Sequence, residues 1–203
     1  GQTFNISIIA ADGLQDTVTS FTGTVVVTSN CDIGVGQGTS AAFTSGVLTP
    51  KSMMITSTGT CTITATNSSG SETGTSNTFV VSPGSADAST TTITANPTII
   101  QNDGFSTSTI TVQLKDHYEN NLTTSPSTIA LSTTDGTLGS VTNNGDGTYS
   151  ATLTSSIAAG IATISGTLNG GAINDEATVE FAEFDNVWQS QVGTVTDARN
   201  WDD

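Results

Sequence analysis

The chain has 203 residues, of which 34% are hydrophobic, and its 18 acidic side chains against three basic ones give a formal net charge of -15. This charge repels polyphosphates and anionic lipid headgroups, so we expect neither nucleic acid nor an anionic membrane as a partner. No run of residues approaches the roughly 18 to 20 apolar residues that a membrane span needs, and we expect no membrane insertion.

Threonine, serine and glycine are abundant, and few segments combine the residues that helices prefer. Short runs of alternating apolar and polar residues, separated by Gly, Asn, Asp and Ser, instead indicate β-strands. We therefore predict an all-β protein. The chain is about twice as long as a usual sandwich domain, which favours two modest hydrophobic cores over one large core.

Six strands are predicted in the first half of the chain, near residues 3–10, 23–30, 41–44, 52–57, 60–67 and 77–82. Pro83 and Gly84 end the last of these strands, because proline cannot donate to a sheet and glycine favours turns. The residues that follow, up to Ser89, are small and mostly polar. We therefore place a first domain at residues 1–83 and a linker at residues 84–89.

The two cysteines lie in this first domain, 30 positions apart. Strand alternation turns Cys31 to the same face as Val27, and Cys61 to the same face as Ile63, so both point towards the core. An even number of cysteines suits an oxidising, extracellular compartment and favours a disulfide between them. The alternative is two free buried thiols. A zinc site would need more ligands than two thiols, and the single histidine, His117, lies in the other half.

Seven strands are predicted in the second half, near residues 90–96, 106–115, 127–133, 138–142, 147–154, 160–168 and 174–182. Residues 160–166 repeat the strand pattern of residues 59–66, so the chain carries one strand arrangement twice. Seven short strands in about 95 residues is the number found in an immunoglobulin-like sandwich. The sequence therefore predicts two tandem immunoglobulin-like antiparallel β-sandwiches, with the second domain at residues 90–182.

Four segments of the second domain carry a family resemblance, and they lie at residues 103–116, 139–142, 146–154 and 159–164. In these segments the domain resembles the bacterial Ig-like repeats of the invasin and intimin group. Four segments of the first domain are similar to Ig-like repeats in large secreted bacterial proteins, at residues 1–6, 21–25, 59–65 and 74–81. Together the two resemblances cover most of the chain.

The resemblance implies a non-catalytic stalk or adhesive segment of a secreted or cell-surface bacterial protein. Its partners would be neighbouring modules of the same chain and a cell-surface protein or glycan. The alternative is an accessory, glycan-binding region of an exported enzyme whose catalytic domain lies outside this chain. Both remain open, because modules of this kind specify a fold better than a function.

Two features depart from the pattern of these repeats. Repeats of this kind have one more strand upstream of the position of Gly1. We therefore expect the first domain to lack its first strand, or to have that edge filled from elsewhere. Residues 183–203 resemble neither domain, and we interpret this tail as the start of a further module.

The motifs of a catalytic site are missing from the sequence. The chain has no Gly-x-Ser-x-Gly turn, which exposes the nucleophilic serine of many hydrolases. His117 lies between Asp116 and Glu119 in a segment that we interpret as a polar loop between two strands. We therefore expect no enzymatic activity of this chain itself.

Flat aromatic rings stack on sugars, so the tyrosines and tryptophans are the candidates for glycan binding. We assign that role to Trp188 and Trp201, in the tail. Tyr118 belongs to the polar loop, whereas Tyr149 shares its strand parity with Leu153 and is predicted to lie in the core. The alternative for the two tryptophans is that they pack the tail against a neighbouring module.

Acidic residues in several loops form a candidate calcium site. In a seven-stranded sandwich, the loops near 116–122, 143–147 and 169–173 gather at one end. Carboxylates from these loops, the linker and the first domain would supply the oxygen ligands that calcium prefers, from Asp32, Asp87, Asp116, Glu119 and Asp146. The chain contains no Asp-x-Asp-x-Asp-Gly loop, so the alternative is a set of ordinary solvated turns.

Overall fold

A computed structural model of the chain describes residues 1–124 and 127–183. Its regular elements in these ranges are β-strands, which confirms the all-β prediction. Within the described ranges, no helical segment has the length and hydropathy of a membrane span. They divide into two compact units, the first formed by residues 1–91 and 114–124 and the second by residues 92–113 and 127–183.

The first unit contains nine strands: β1 (Thr3–Ile9), β2 (Val25–Ser29), β3 (Ile33–Val35), β4 (Gly38–Thr39), β5 (Val47–Ile55), β6 (Gly59–Cys61), β7 (Ile63–Asn67), β8 (Thr73–Thr75) and β9 (Phe79–Val81). They form three antiparallel sheets, with the strand orders β1-β5-β3, β4-β2-β7-β8 and β6-β9. Alternation sends one face of these sheets inwards, where the core consists of Val25, Val27, Phe43, Leu48, Met53 and Ile63.

A disulfide joins Cys31 and Cys61, as their shared strand parity predicts. Cys61 is fully buried at the end of β6. The bond connects the segment between β2 and β3 with the β6–β9 pair. It closes a chain segment with a sequence separation of 30.

The structure differs from the predicted strands between residues 41 and 57. A single strand, β5, begins at Val47, and the predicted strand at 41–44 is reduced to an isolated bridge between Thr44 and Val47. The reason is a tight turn in which both Ser45 and Gly46 have positive φ angles. Phe43 is nevertheless buried, with its ring edge-on to that of Phe21 at a centroid distance of 5.0 Å.

The second unit contains ten strands: β10 (Thr92–Asn96), β11 (Ile99–Gln101), β12 (Thr107–Gln113), β13 (Ile129–Thr133), β14 (Thr137–Leu138), β15 (Thr142–Asn143), β16 (Thr148–Thr154), β17 (Gly160–Leu168), β18 (Gly171–Ala172) and β19 (Ala177–Ala182). One sheet has the order β10-β12-β16-β14 with β15 also on β16, and the other has the order β11-β19-β17-β13 with β18 on β17. The pair of β11 and β19 is parallel, and the other pairs are antiparallel.

The core of the second unit lies between these two sheets. Its most deeply buried side chains come from the inward positions of four strands and include Ile110, Val112, Leu153, Ile164, Val179 and Phe181. Tyr149 is also buried, as its strand parity predicts. The domain boundaries at 83 and 89 stay predictions, since residues 114–124 group with the first unit.

Candidate functional site

Asp116 is the centre of the most densely hydrogen-bonded polar site in the described chain. Its carboxylate accepts from the backbone N–H groups of Gly84 at 2.9 Å, Tyr118 at 2.9 Å and Asn120 at 3.0 Å. The side-chain Nδ2 of Asn120 also lies 3.0 Å from both carboxylate oxygens. Only 3% of Asp116 is exposed, and no other charged residue of the described ranges is buried.

The sequence folds into this arrangement for a local reason. Asp116 follows the buried Leu114 just beyond the end of β12, and its carboxylate accepts from the N–H groups two and four residues later. Aspartate commonly closes a turn in this way. Glu119, at the tip, has a positive φ of 65° and donates its N–H to the Asp116 carbonyl at 2.9 Å. Thr90 Oγ1 donates to the same carbonyl at 2.9 Å.

The pKa of Asp116 shows how these donors act. Burial alone would raise the pKa of this carboxyl group. The hydrogen bonds from Gly84, from the side chain and N–H of Asn120 and from the N–H of Tyr118 outweigh that effect and hold the pKa below its ordinary value. The carboxylate is therefore ionised at neutral pH and is already occupied by donors of the protein.

Asp87 and His117 form an exposed pair beside Asp116. His117 Nδ1 lies 3.1 Å from Asp87 Oδ2, while Asp87 Oδ1 accepts from Ser89 Oγ at 2.7 Å and from Ser89 N at 2.8 Å. The two Ser89 bonds are the main reason that the pKa of Asp87 is lowered. In a catalytic triad the histidine stands between serine and carboxylate, whereas here the carboxylate stands between them. His117 is therefore not positioned to take a proton from Ser89.

Four of the five residues of the predicted calcium site belong to the first unit and one belongs to the second. Asp87, Asp116 and Glu119 lie near one another in the first unit, and Asp32 is linked to them through Thr56, whose N–H donates to the Asp32 carbonyl and whose own carbonyl accepts from Asn120 Nδ2. Asp146 belongs to the second unit, where it accepts from the Thr148 N–H at 3.0 Å.

Metal binding therefore stays a prediction. Within residues 1–124 and 127–183, no three or more His, Cys, Asp or Glu side chains are grouped in a way that would hold a metal ion. Calorimetry with calcium on chelator-treated protein tests the prediction, and the absence of heat at millimolar calcium would contradict it.

The aromatic candidates for glycan binding fall into three places. Trp188 and Trp201 lie outside the described residues. Tyr118 packs its ring edge-on to His117 at a centroid distance of 5.2 Å and donates its hydroxyl to Met54 Sδ at 3.5 Å. Tyr149 donates its hydroxyl to the Ser127 carbonyl at 2.7 Å from within the core.

The sequence reasoning missed the anchoring role of two aspartates. Asp116 was interpreted as a metal ligand or a loop residue, although an aspartate commonly accepts from the N–H two residues later and closes a turn. Asp103 holds a second turn of this kind. Its carboxylate accepts from the N–H groups of Ser106 at 2.7 Å and Phe105 at 2.8 Å, and from Ser155 Oγ at 3.3 Å.

Residues 87–184 match the family model of invasin, domain 3. The structure is similar to that of invasin, described as a bacterial integrin-binding protein, with 26% sequence identity, a TM-score of 0.45 and coverage of 90% of this chain and 40% of invasin. The chain thus spans about two-fifths of the length of the invasin structure.

Two further solved structures are similar. The Yersinia pseudotuberculosis adhesin InvE is 32% identical over 48% of this chain and 28% of its own, with a TM-score of 0.44. The Escherichia coli adhesin FdeC is 19% identical over 90% of this chain and 59% of its own, with a TM-score of 0.54. The likeness to FdeC covers both units and supports the assignment of the fold.

Proposed function

We propose that this chain, whose residues 87–184 are an immunoglobulin-like repeat of the invasin and intimin type, is a non-catalytic adhesive or stalk segment of a bacterial surface protein. The match of these residues to invasin domain 3 is the observation that carries the proposal. The proteins whose structures resemble this chain also include adhesins of Yersinia pseudotuberculosis and Escherichia coli.

The polar chemistry of the chain supports a non-catalytic role. The buried carboxylate of Asp116 is used to hold backbone N–H groups, and the exposed Asp87 and His117 pair lacks the order of a triad. In the described ranges, every buried side-chain nitrogen or oxygen has a hydrogen-bond partner. Polar groups that serve structure in this way favour a rigid module over an active site.

The proposal extends to the class of partner. Invasin is described as a bacterial integrin-binding protein, and we infer that this chain takes a protein or glycan of another cell's surface, or holds a neighbouring module that does so. The net charge of -15 makes a basic patch on that partner favourable for encounter. Location at the outside of the bacterial cell is part of this proposal.

Antibody labelling tests the location. Antibodies raised against the purified 203-residue chain should label intact cells of the bacterium that encodes it, and protease treatment of those cells should remove the signal. A signal that is seen only after the cells are lysed would contradict the proposal. Antibodies against a cytoplasmic protein provide the control for cell integrity.

A competition experiment separates an adhesive role from a stalk role. If the chain is adhesive, an excess of the purified chain should reduce attachment of the bacteria to cultured host cells. If it is a stalk, the purified chain should not compete, whereas deletion of its coding region should still lower attachment.

A glycan array with the Trp188→Ala and Trp201→Ala variants tests the sugar alternative. Loss of sugar binding in either variant would assign the contact to the tail.

A further inference from the structure

The outer face of one sheet in the second unit is covered by neutral hydroxyl side chains. This sheet contains β10, β12, β14, β15 and β16, and its inward residues Ile110 and Leu153 are fully buried. Because side chains alternate along a strand, the residues next to them point outwards. We call the hydroxyl face the outward surface that is formed by Thr94, Thr109, Thr111, Ser150 and Thr152.

The side chains of the hydroxyl face stand in two rows across the sheet. Thr94 of β10 lies opposite Thr111 of β12, which lies opposite Ser150 of β16. In the next row, Thr109 lies opposite Thr152. Neighbouring strands are about 4.8 Å apart, and residues two apart along a strand are about 6.6 Å apart. The hydroxyl groups therefore form a regular and closely spaced grid.

The sheet that carries the hydroxyl face contains no charged residue. None of its five strands, all of which the structure describes, includes Asp, Glu, Lys or Arg. The other sheet of the unit exposes Glu180, which lies opposite Ile161. The remaining charged residues in the described part of the second unit are acidic and lie outside its strands: Asp103, Asp135, Asp146, Asp175, Glu176 and Glu183. The hydroxyl face is thus the neutral side of an acidic unit.

The two edges of this sheet are protected against pairing with another strand. At the β10 edge, the N–H of Ile93 donates to Asp175 Oδ2 at 2.8 Å, so a carboxylate already occupies this backbone donor. At the opposite edge, β14 and β15 have only two residues each. Short edges and edge charges prevent strand-to-strand association. A partner of this sheet would therefore contact its face.

We propose that the hydroxyl face binds the hydroxyl face of a second copy of this chain. A hydroxyl group both donates and accepts, so two identical faces can satisfy each other, directly or through bridging water. A two-fold axis between the copies brings the same surface of each together. This contact goes beyond the proposed function, because it joins chains on two bacteria and needs no partner on a host cell.

The charge of the chain favours a second copy over other partners. A basic protein would be attracted to the acidic loops, and a protein with an acidic surface would be repelled by the net charge of -15. Neither would select a neutral face. Two copies of the chain also repel each other, and this repulsion is weakest where the facing surfaces carry no carboxylate. Contact at the hydroxyl face leaves no charge to be desolvated.

The size of the hydroxyl face makes a single contact weak. Three strands and seven residues of β12 span about 14 by 23 Å, which is below the roughly 800 Å² per partner of a standard interface. A weak contact is strengthened when many copies act together, as on a cell surface. The experiment must therefore present many copies at once.

Beads that carry the purified 203-residue chain, attached through its C-terminus, test the proposal. Beads with the unchanged chain should form clusters that are visible by light microscopy. The double variant Thr109→Glu, Thr152→Glu places like charges on both facing surfaces, and clustering should fall by about tenfold or more. Clustering of this variant that equals that of the unchanged chain, or no clustering of either, would overturn the proposal.

The matched control is Thr163→Glu, Thr178→Glu. These two threonines also lie opposite each other, but on the outer side of the other sheet. The control adds the same charge to the same unit and should cluster like the unchanged chain. An equal loss of clustering in the control would show that net charge alone is responsible, against the proposal.

A charge exchange tests the facing surfaces directly and also shows that the variants are folded. Beads with Thr109→Lys, Thr152→Lys should form mixed clusters with beads that carry Thr109→Glu, Thr152→Glu. Beads with Thr163→Lys, Thr178→Lys should not. Mixed clusters with both lysine variants, or with neither, would contradict a contact between two hydroxyl faces.

Salt and unrelated beads distinguish the remaining occupants. Because the copies repel each other, clustering of the unchanged chain should increase as sodium chloride rises from about 10 mM to about 150 mM. A decrease would indicate attraction between opposite charges and would overturn the proposal. Attachment of the coated beads to beads that carry an unrelated acidic protein or a neutral polysaccharide would assign the hydroxyl face to another partner, again against the proposal.

Discussion

At the scale of single residues, two aspartates act as anchors for the loops that surround them. Asp116 lies just after β12 and Asp103 just after β11. Each carboxylate accepts hydrogen bonds from several N–H groups. A charged acceptor makes stronger hydrogen bonds than a neutral one, so each carboxylate can fix a turn that has little apolar material of its own.

Replacing Asp116 with alanine should strongly destabilise the first unit. The substitution leaves four N–H groups, from Gly84, Tyr118 and both nitrogens of Asn120, without their acceptor in a buried place. We expect urea unfolding to show a loss of about 2–4 kcal/mol. The control is Asp16→Ala in the same unit, where the exposed side chain should change stability by no more than about 0.5 kcal/mol. A similar small change for Asp116→Ala would contradict the anchoring role.

Asp103 should make the stability of the second unit depend on acid pH. Hydrogen bonds from the N–H groups of Ser106 and Phe105 lower the pKa of Asp103 from 3.8 to about 2. Because the folded state prefers the ionised form, its stabilisation is complete above about pH 4 and is lost as the pH falls through about 2. The melting temperature of the second unit should therefore fall over this window, and less steeply in Asp103→Asn.

Asp103 is not the sole source of the acid dependence of the second unit. Hydrogen bonds from Thr148 lower its pKa as well, so Asp146 contributes in the same direction in the same unit. The Asp103→Asn variant should reduce the acid dependence and leave part of it in place. An unchanged slope between about pH 4 and about pH 2 would show that the turn around Asp103 is not stabilised by its ionised carboxylate.

At the scale of elements, the disulfide is the covalent support of the smaller core. It connects β6 with the segment that follows β2, and it closes a loop with a sequence separation of 30. Ile6 and Ile8 of the first unit are only half-buried, whereas Ile110 and Val112 of the second unit are fully buried. A covalent closure matters more where the hydrophobic core is limited.

Reduction of the Cys31–Cys61 bond should lower the stability of the first unit alone. In the chain-entropy model, a closed loop of about 30 residues stabilises the folded state by roughly 3 to 4 kcal/mol. Mass spectrometry without reductant should find the two residues linked, and calorimetry with reductant should shift only the transition of the first unit. Free thiols in protein prepared under oxidising conditions would contradict the assignment.

Most elements could be predicted from local sequence because strand alternation is a local property. The alternation in residues 109–114 or 147–154 depends only on the neighbouring side chains, and both segments are strands in the structure. The predicted strand at 41–44 failed because the φ angles of Ser45 and Gly46, which set the turn, are not determined by hydrophobic pattern. The Asp116 site could not be derived because Gly84 and Asn120 are brought together by tertiary structure.

At the scale of the whole molecule, the first unit is not a continuous stretch of chain. Residues 114–124 belong to it, although 22 residues of the second unit, 92–113, separate them from the rest. Within this unit, Asn120 Nδ2 donates to the Thr56 carbonyl at 2.8 Å and Asp116 accepts from Gly84. The compact unit and the stretch 1–83 predicted as a domain are therefore not the same set of residues.

A fragment of residues 1–89 should accordingly be less stable than the first unit in the whole chain. It lacks Asp116 and Asn120, so Gly84 and Thr56 lose partners that they have in the full protein. The melting temperature of the fragment should be lower by at least several degrees. The Asp116→Ala variant of the whole chain should lie between the two, and equal melting temperatures for fragment and whole chain would exclude a contribution of residues 114–124.

The scarcity of basic side chains has a consequence for proteolysis. Enzymes of the trypsin type cut only after lysine or arginine, and the described ranges offer them Lys51 and Lys115. Lys51 lies inside β5 opposite Ile6, and Lys115 bridges to Asn121 while its carbonyl accepts from Asp87. A protease needs an extended, unpaired segment to bind. In a fluid rich in such enzymes, the peptide bonds after Lys51 and Lys115 would be cut only after local unfolding. The described part of the chain would therefore survive as long as its strands stay paired.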